Sequence, residues 1–155
     1  MDRFEVCRLL EVAAAEEILA GYQYQVVSPY LVGVERDAIS EFLELTAKDE
    51  VDDHFRKLQA RMSELGYIPR SLFDFSQLQV LSECKYVLVS SLSDLAGLMT
   101  KYVESEDCAI RRYEELARLC GDEDVVTRRL CEEIAADEWE HRDGFASFLS
   151  DLTSV

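Results

Sequence analysis

The chain has 155 residues, 48% hydrophobic and 31% charged, which suits one domain over 1–155 with a single sizeable core and excludes a disordered chain. No apolar run reaches the roughly 18 residues that a membrane-spanning helix needs, and the opening MDRFEVCRLLEV lacks the apolar stretch and cleavage site of a signal peptide, so a cytoplasmic location is expected. A formal net charge of −16 argues against nucleic acid or a membrane as partner and in favour of cations.

Helical periodicity predicts a first helix from Arg3 to Leu31, with Phe4, Leu9, Val12, Ala13, Leu19, Tyr22, Val26 and Tyr30 as its apolar stripe and Pro29 and Gly33 marking its end. A second helix is expected from Arg36 to Leu65, stopping at Gly66. The long connection from Tyr67 to about Ser90 carries Leu72, Phe73, Phe75, Leu78, Val80 and Leu81. A structureless loop of that length is uncommon, so a short helix packed on the bundle is expected there. A third helix starts near Ser91 or Ser93 as N-cap and stops at Cys120, before Gly121; a fourth runs from Asp124 to about Leu149. The short links at 32–35 and 121–123 make antiparallel hairpins. Two hairpins joined by one long crossover give an all-α four-helix bundle.

The two histidines, His54 and His141, each follow an Asp-Glu pair: Asp49-Glu50-Val-Asp-Asp-His54 and Asp137-Glu138-Trp-Glu-His141. Glu138 and His141 form an E-x-x-H pair, and residues three apart on a helix share a face, so both can reach one metal. Upstream, Glu17 precedes Glu50 by 33 residues and Glu106 precedes Glu138 by 32, each followed seven residues on by a tyrosine, Tyr24 and Tyr113. The halves thus repeat one scheme, in which four helices supply four carboxylates and two imidazoles. Such a donor set suits iron or manganese better than tetrahedral zinc, and bound cations would relieve the repulsion among inward carboxylates. Asp49 and Asp137 are candidates to accept a proton from the other motif's histidine. The five cysteines, Cys7, Cys84, Cys108, Cys120 and Cys131, contain no C-x-x-C pair, which excludes a zinc ribbon or rubredoxin module.

The segments Glu16-Glu17-Ile-Leu-Ala-Gly-Tyr-Gln-Tyr24, Ser105-Glu106-Asp-Cys108-Ala-Ile110 and Asp124-Val-Val-Thr127 through Asp137-Glu138-Trp-Glu-His141 resemble the ferritin-like superfamily over nearly the whole chain. The resemblance is strongest to its short bacterioferritin-related and Dps-like, thioferritin-type branches. It implies a di-iron ferroxidase that oxidises Fe(II) with oxygen or hydrogen peroxide, for iron storage and protection against oxidative stress. The implied ligands are Glu17, Glu50, His54, Glu106, Glu138 and His141, holding two iron ions per subunit, with manganese or zinc as substitutes. Glu50 departs from the pattern: it stands four before His54 where the family has three, and Val51 occupies the expected place. A one-residue π-bulge would restore the register; otherwise the site lacks a ligand or uses Asp53. No haem is expected, because Val51 and Asp52 stand where bacterioferritins carry a methionine. The chain ends 14 residues after His141, which leaves no room for the fifth helix of large cages. The expected assembly is therefore a Dps-like twelve-subunit homo-oligomer. Cys84 and Cys108 match the thiol pair of the Dps-like branch, against which stands a reading as two buried reduced thiols. Other readings are a rubrerythrin-like peroxidase and a non-catalytic interaction or cargo module with a vestigial metal site.

Overall fold

A computed structural model describes residues 1–84, 86 and 90–154; residues 85 and 87–89 of the long connection, and 155, lie outside the described residues. Among the described residues the regular secondary structure is all helical, with no strand. Helix α1 (Arg3–Val27) begins where the Asp2 carboxylate accepts the Phe4 and Glu5 N–H groups. It ends four residues earlier than the sequence pattern predicts. Pro29 has no N–H to continue the ladder, and Ser28–Tyr30 tighten into a 3₁₀ turn.

Helix α2 (Arg36–Lys48) runs without a break through a π-helical segment, Asp49–His54, into α3 (Phe55–Glu64). Gly66, at φ 71°, takes the left-handed conformation that stops the helix. The long connection forms 3₁₀ turns at Arg70–Phe73 and Phe75–Gln77 and one helical turn, α4 (Leu78–Leu81). Helix α5 (Leu95–Cys120) starts at Asp94, whose carboxylate accepts the Gly97 N–H. The expected caps Ser91 and Ser93 instead bond each other at 2.7 Å in the preceding turn. Helix α6 (Val125–Thr153) is capped by Asp124 and extends one turn past Leu149.

Helix α1 packs on α2, α3 and α5, α5 runs along α6, and α2 meets α6, so the four long rods close a bundle. The crossover turns, including α4, cover another side of α1. Two apolar layers fill the bundle. One contains Leu10, Leu58, Met62, Tyr113, Leu116 and Ile134; the other contains Tyr24, Ile39, Leu43, Leu98, Tyr102 and Phe145. Each such buried side chain contributes about 1.5–3 kcal/mol. Between the layers every rod contributes polar residues.

The expected apolar stripe of α1 is only half inside. Leu9, Val12, Ala13 and Leu19 are buried, whereas Phe4, Tyr22, Val26 and Tyr30 are 45–68% exposed. Small residues do much of the packing instead: Ala13, Ala14 and Ala15 are all buried, which lets neighbouring helices approach α1 closely. In the crossover Leu78 is buried, while Phe73, Phe75 and Val80 face outward at about 76–77% exposure.

Candidate metal centre

Six residues meet midway along the bundle: Glu17 from α1, Glu50 and His54 from the π-helical segment, Glu106 from α5, and Glu138 and His141 from α6. All are buried, none more than 6% exposed. Their donor atoms form two groups, Glu17–Glu50–His54–Glu138 and Glu50–Glu106–Glu138–His141, with the ligand atoms of each within 4.8 Å of one another. Glu50 and Glu138 belong to both. His54 Nδ1 lies 2.9 Å from Glu50 and 3.3 Å from Glu138; His141 Nδ1 lies 3.1 Å from Glu138 and 3.4 Å from Glu50. The site therefore repeats about an approximate two-fold axis, as the halves of the sequence repeat.

The π-helical turn carries Glu50 into this site. A π turn holds one more residue than an α turn and shifts everything before it by about one position. Glu50 therefore takes the place that a glutamate three before His54 would hold in a regular helix. The turn lies against α1 at Gly21, where a Cβ would stand 2.5 Å from Val51 Cγ2 and 3.2 Å from the Ala47 carbonyl oxygen. Asp53, the alternative ligand, is not in either buried group. Its carboxylate pairs with Lys57 at 2.8 Å on the outer side of His54.

Each imidazole turns Nδ1 to the glutamates and Nε2 outward. His54 Nε2 lies 3.2 Å from Asp137, and His141 Nε2 lies 3.2 Å from Asp49. The aspartate preceding each shared glutamate thus orients the histidine of the opposite motif. The tyrosines cross over likewise: Tyr24 donates to Glu106 at 2.5 Å, and Tyr113 donates to Glu17. Burial, then the facing carboxylates, raise both phenols well above their ordinary range, so they remain donors.

Burial and the charges of Glu50 and Glu138 push the Glu17 carboxyl well up, and burial with the same two neighbours does so for Glu106. Burial opposes charge on the histidines, but the surrounding glutamates outweigh it. His54 is raised far above its usual value, through Glu17, Glu138 and Glu50, and His141 is raised to about 12 through Glu138 and Glu50. Burial would raise Glu50 too, yet its bonds with His141 and His54 win and lower it. The donor chemistry fits a pair of divalent cations: four carboxylates balance four positive charges, and each imidazole offers one inward nitrogen.

Several contributors escape a search for ligand motifs. Glu16, beside Glu17, is buried and accepts the N–H groups of Glu83 and Cys84 at 2.9 and 3.1 Å. Buried Arg112 reaches both Glu16, at 3.4 Å, and Glu83, at 2.6 Å. Glu11 accepts from Tyr67 Oη and the Ser71 N–H. These bonds fasten the crossover to α1, and a disulfide between Cys84 and Cys108, Cα atoms 5.8 Å apart, fastens it to α5. Cys7, Cys120 and Cys131 are buried free thiols. Tyr86, on the same crossover, has its phenol raised by burial and then by the charges of Glu106, Glu16, Glu17 and Glu50. No spacing rule reaches across the crossover, so the sequence carries no signal for Tyr86.

A four-helix bundle of two hairpins and a crossover, with carboxylates and imidazoles paired at its centre, defines a class of helical proteins with a two-metal carboxylate site. The chain belongs to the family described as ferritin-like domain, whose model matches residues 7–155. Among curated proteins it is 29% identical over 151 residues to the DNA protection during starvation protein of Pyrococcus furiosus, covering 97% of this chain and 80% of that one. Among solved structures it is similar to the dodecameric thioferritin, a bacterioferritin-related protein, of Bacteroides fragilis: TM-score 0.93 and 30% identity, over 99% of this chain and 89% of that one. The fold is also that of the Desulfovibrio desulfuricans bacterioferritin, at TM-score 0.81 and 23% identity, over 99% and 82% of the two chains.

Proposed function

We propose that this protein is a di-iron ferroxidase that oxidises Fe(II) with oxygen or hydrogen peroxide, serving iron storage and protection from oxidative stress. The observation that carries the reading is the pair of overlapping buried groups sharing Glu50 and Glu138. Glu17 and His54 would hold one iron, Glu106 and His141 the other, with Glu50 and Glu138 spanning both. When bound, the two irons each give one electron to the oxidant. Asp137 and Asp49 hold the imidazoles with Nδ1 inward, and Tyr113 and Tyr24 fix the terminal glutamates. The surrounding apolar layers keep bulk water away.

The same proposal takes 1–155 as one working unit in a cytoplasmic homo-oligomer, a cage of twelve subunits. The Bacteroides fragilis relative, described as dodecameric, supports that number. Among the described residues no helix is long and apolar enough to cross a membrane. The Pyrococcus furiosus relative is named for DNA protection; for this chain, with net charge −16, we take protection to come from iron and oxidant removal without binding DNA.

Stopped-flow absorbance of the ferric product, on iron-free protein mixed with Fe(II), tests the reading. Wild-type protein should oxidise Fe(II) far faster than buffer, and Glu138→Ala, which unties both metals, should lose nearly all of that rate while staying folded. Wild-type oxidation at the buffer rate would remove the ferroxidase reading.

A further inference from the structure

The two histidines turn their outer nitrogens into one seam of the bundle, between α6 and the rod formed by α2, the π-helical segment and α3. His54 Nε2 meets Asp137 there and His141 Nε2 meets Asp49, each at 3.2 Å. The other seams around the metal centre are closed. Arg112 of α5 pairs with Glu16 of α1, and Arg142 of α6 pairs with Asp107 of α5 at 2.9 Å. Val51 of the π-helical segment packs against α1 at Gly21. A cation coming from solvent therefore has two mouths by which to reach the carboxylates, one beside each histidine.

The two mouths are unequal, although the ligands beneath them repeat. Beside His54, one turn along the helix, lies Lys57. Its ammonium donates to Asp53 at 2.8 Å and across the seam to Glu133 at 2.5 Å. Asp53, His54 and Asp137 offer donor atoms within 4.8 Å of one another, and Lys57 already supplies the positive charge there. At His141 the repeat breaks. The position three after it is Gly144, where an added Cβ would stand 2.2 Å from the Phe42 ring. The position four before Asp49 is Leu45, where the other half has Glu133 four before Asp137. The Asp49 side chain is 58% exposed, against 42% for Asp137, and among the described residues no lysine or arginine pairs with it.

We propose that Lys57 bars divalent cations from the His54 mouth, so that Fe(II) for both half-sites enters past Asp49 and His141. The inference rests on the ferroxidase reading and adds the route to it. A fixed ammonium repels an approaching cation more strongly where water is partly excluded, whereas an acidic mouth without a countercharge concentrates cations. Asp49 draws the ion in, and it passes His141 to the shared Glu50 and Glu138. The first ion moves on to Glu17 and His54, and the second stays with Glu106 and His141. Lys57 is thus a positioning residue, acting through its charge and not as a ligand.

The test follows anaerobic Co(II) uptake by the whole iron-free protein as it assembles, using stopped-flow absorbance of the bound ion. Asp49 and Asp137 hold equivalent places, so a role confined to orienting the histidines makes Asp49→Asn and Asp137→Asn slow uptake alike. On the proposed route Asp49→Asn slows the entry of both ions roughly tenfold, and Asp137→Asn leaves the entry rate nearly unchanged. Adding Lys57→Gln to Asp49→Asn should restore most of the rate by opening the second mouth, whereas adding Lys57→Arg, which keeps the charge, should not. Misfolding cannot imitate that rescue, because a damaged centre loses uptake and does not regain it. Equal slowing by the two aspartate variants, or equal rates with Lys57→Gln and Lys57→Arg, overturns the proposal. Uptake by this route in a protein that fails to oxidise Fe(II) refutes the ferroxidase reading alone. Rapid Fe(II) oxidation with equal slowing by the two aspartate variants refutes the route alone.

Discussion

Glu50 is the residue on which the site turns. It is buried against both imidazoles, whereas Asp53, three positions on, is spent on an ion pair with Lys57. Glu50→Ala should therefore depress Fe(II) oxidation about as far as Glu138→Ala, and Asp53→Ala should leave the rate within about twofold of wild type, since a half-exposed pair contributes little. The reverse order, by stopped-flow absorbance, would transfer the ligand role to Asp53. The histidines give a second prediction. His141, with its pKa raised to about 12, and His54, raised further, carry protons at neutral pH in metal-free protein. Glu17 and Glu106, both raised, also bind protons more tightly than free carboxyls. A metal must displace these protons, so its affinity rises with pH across the neutral range and falls toward acid. Calorimetry of Co(II) binding in buffers of different ionisation enthalpy should detect net proton release; binding with no proton release would contradict the arrangement of Nδ1 toward the carboxylates.

At the scale of elements, the π-helical segment and α1 constrain each other. Gly21 sits one turn beyond Glu17, and its missing side chain admits Val51 and the Ala47 carbonyl. Gly21→Ala brings two opposed effects. Helix propensity favours alanine by about 1 kcal/mol, while overpacking costs about 1–3 kcal/mol. The backbone carbonyl at 3.2 Å from the added Cβ cannot swing aside as a side chain can, so overpacking should win. A net loss of about 1 kcal/mol is expected in the denaturant midpoint, with slower Fe(II) oxidation as the π turn is pushed from α1. Unchanged stability and rate would show that the close approach is dispensable. The crossover is held more redundantly, by Glu11 and Glu16 through backbone N–H groups and by the disulfide. Its three attachments explain how a connection with only short helical turns is held against α1 and α5.

For the whole molecule, the outward aromatic residues become the argument for assembly. Tyr22 and Val26 on α1, Tyr30 in the 3₁₀ turn after it and Phe75 of the crossover leave an exposed apolar surface, and Ile18, Tyr22 and Phe75 line one shared depression. Contiguous apolar surface of this kind marks an interaction site. In the proposed cage it meets another copy. Light scattering at neutral pH should give a large homo-oligomer for wild type and a much smaller species for Tyr22→Glu with Tyr30→Glu, while the helical content of each chain is kept. A wild-type monomer would remove cage storage, though not the two-metal chemistry within each bundle.

Periodicity and motif spacing alone determined that four long amphipathic rods exist and that one glutamate-rich scheme repeats across the halves. They also paired Asp49 and Asp137 with the opposite histidines, because those signals are local or repeat within the chain. Helix ends were legible to within about a turn, although Asp94 rather than Ser91 or Ser93 caps α5. Three matters belonged to the tertiary structure. A helical pattern assumes 3.6 residues per turn, so it cannot show the widened turn at Asp49–His54, which lies against Gly21 and sets Glu50 beside the buried histidines. Amphipathic reading assigns one inner stripe to a helix, yet α1 also carries the crossover on its outside, so its alanines went inward with Tyr24 while Tyr22 and Val26 of the expected stripe stayed exposed. The bonds of Glu16 and Arg112 to the crossover depend on where the long connection returns. That path is set by the sum of weak long-range contacts, which no local spacing in the sequence encodes.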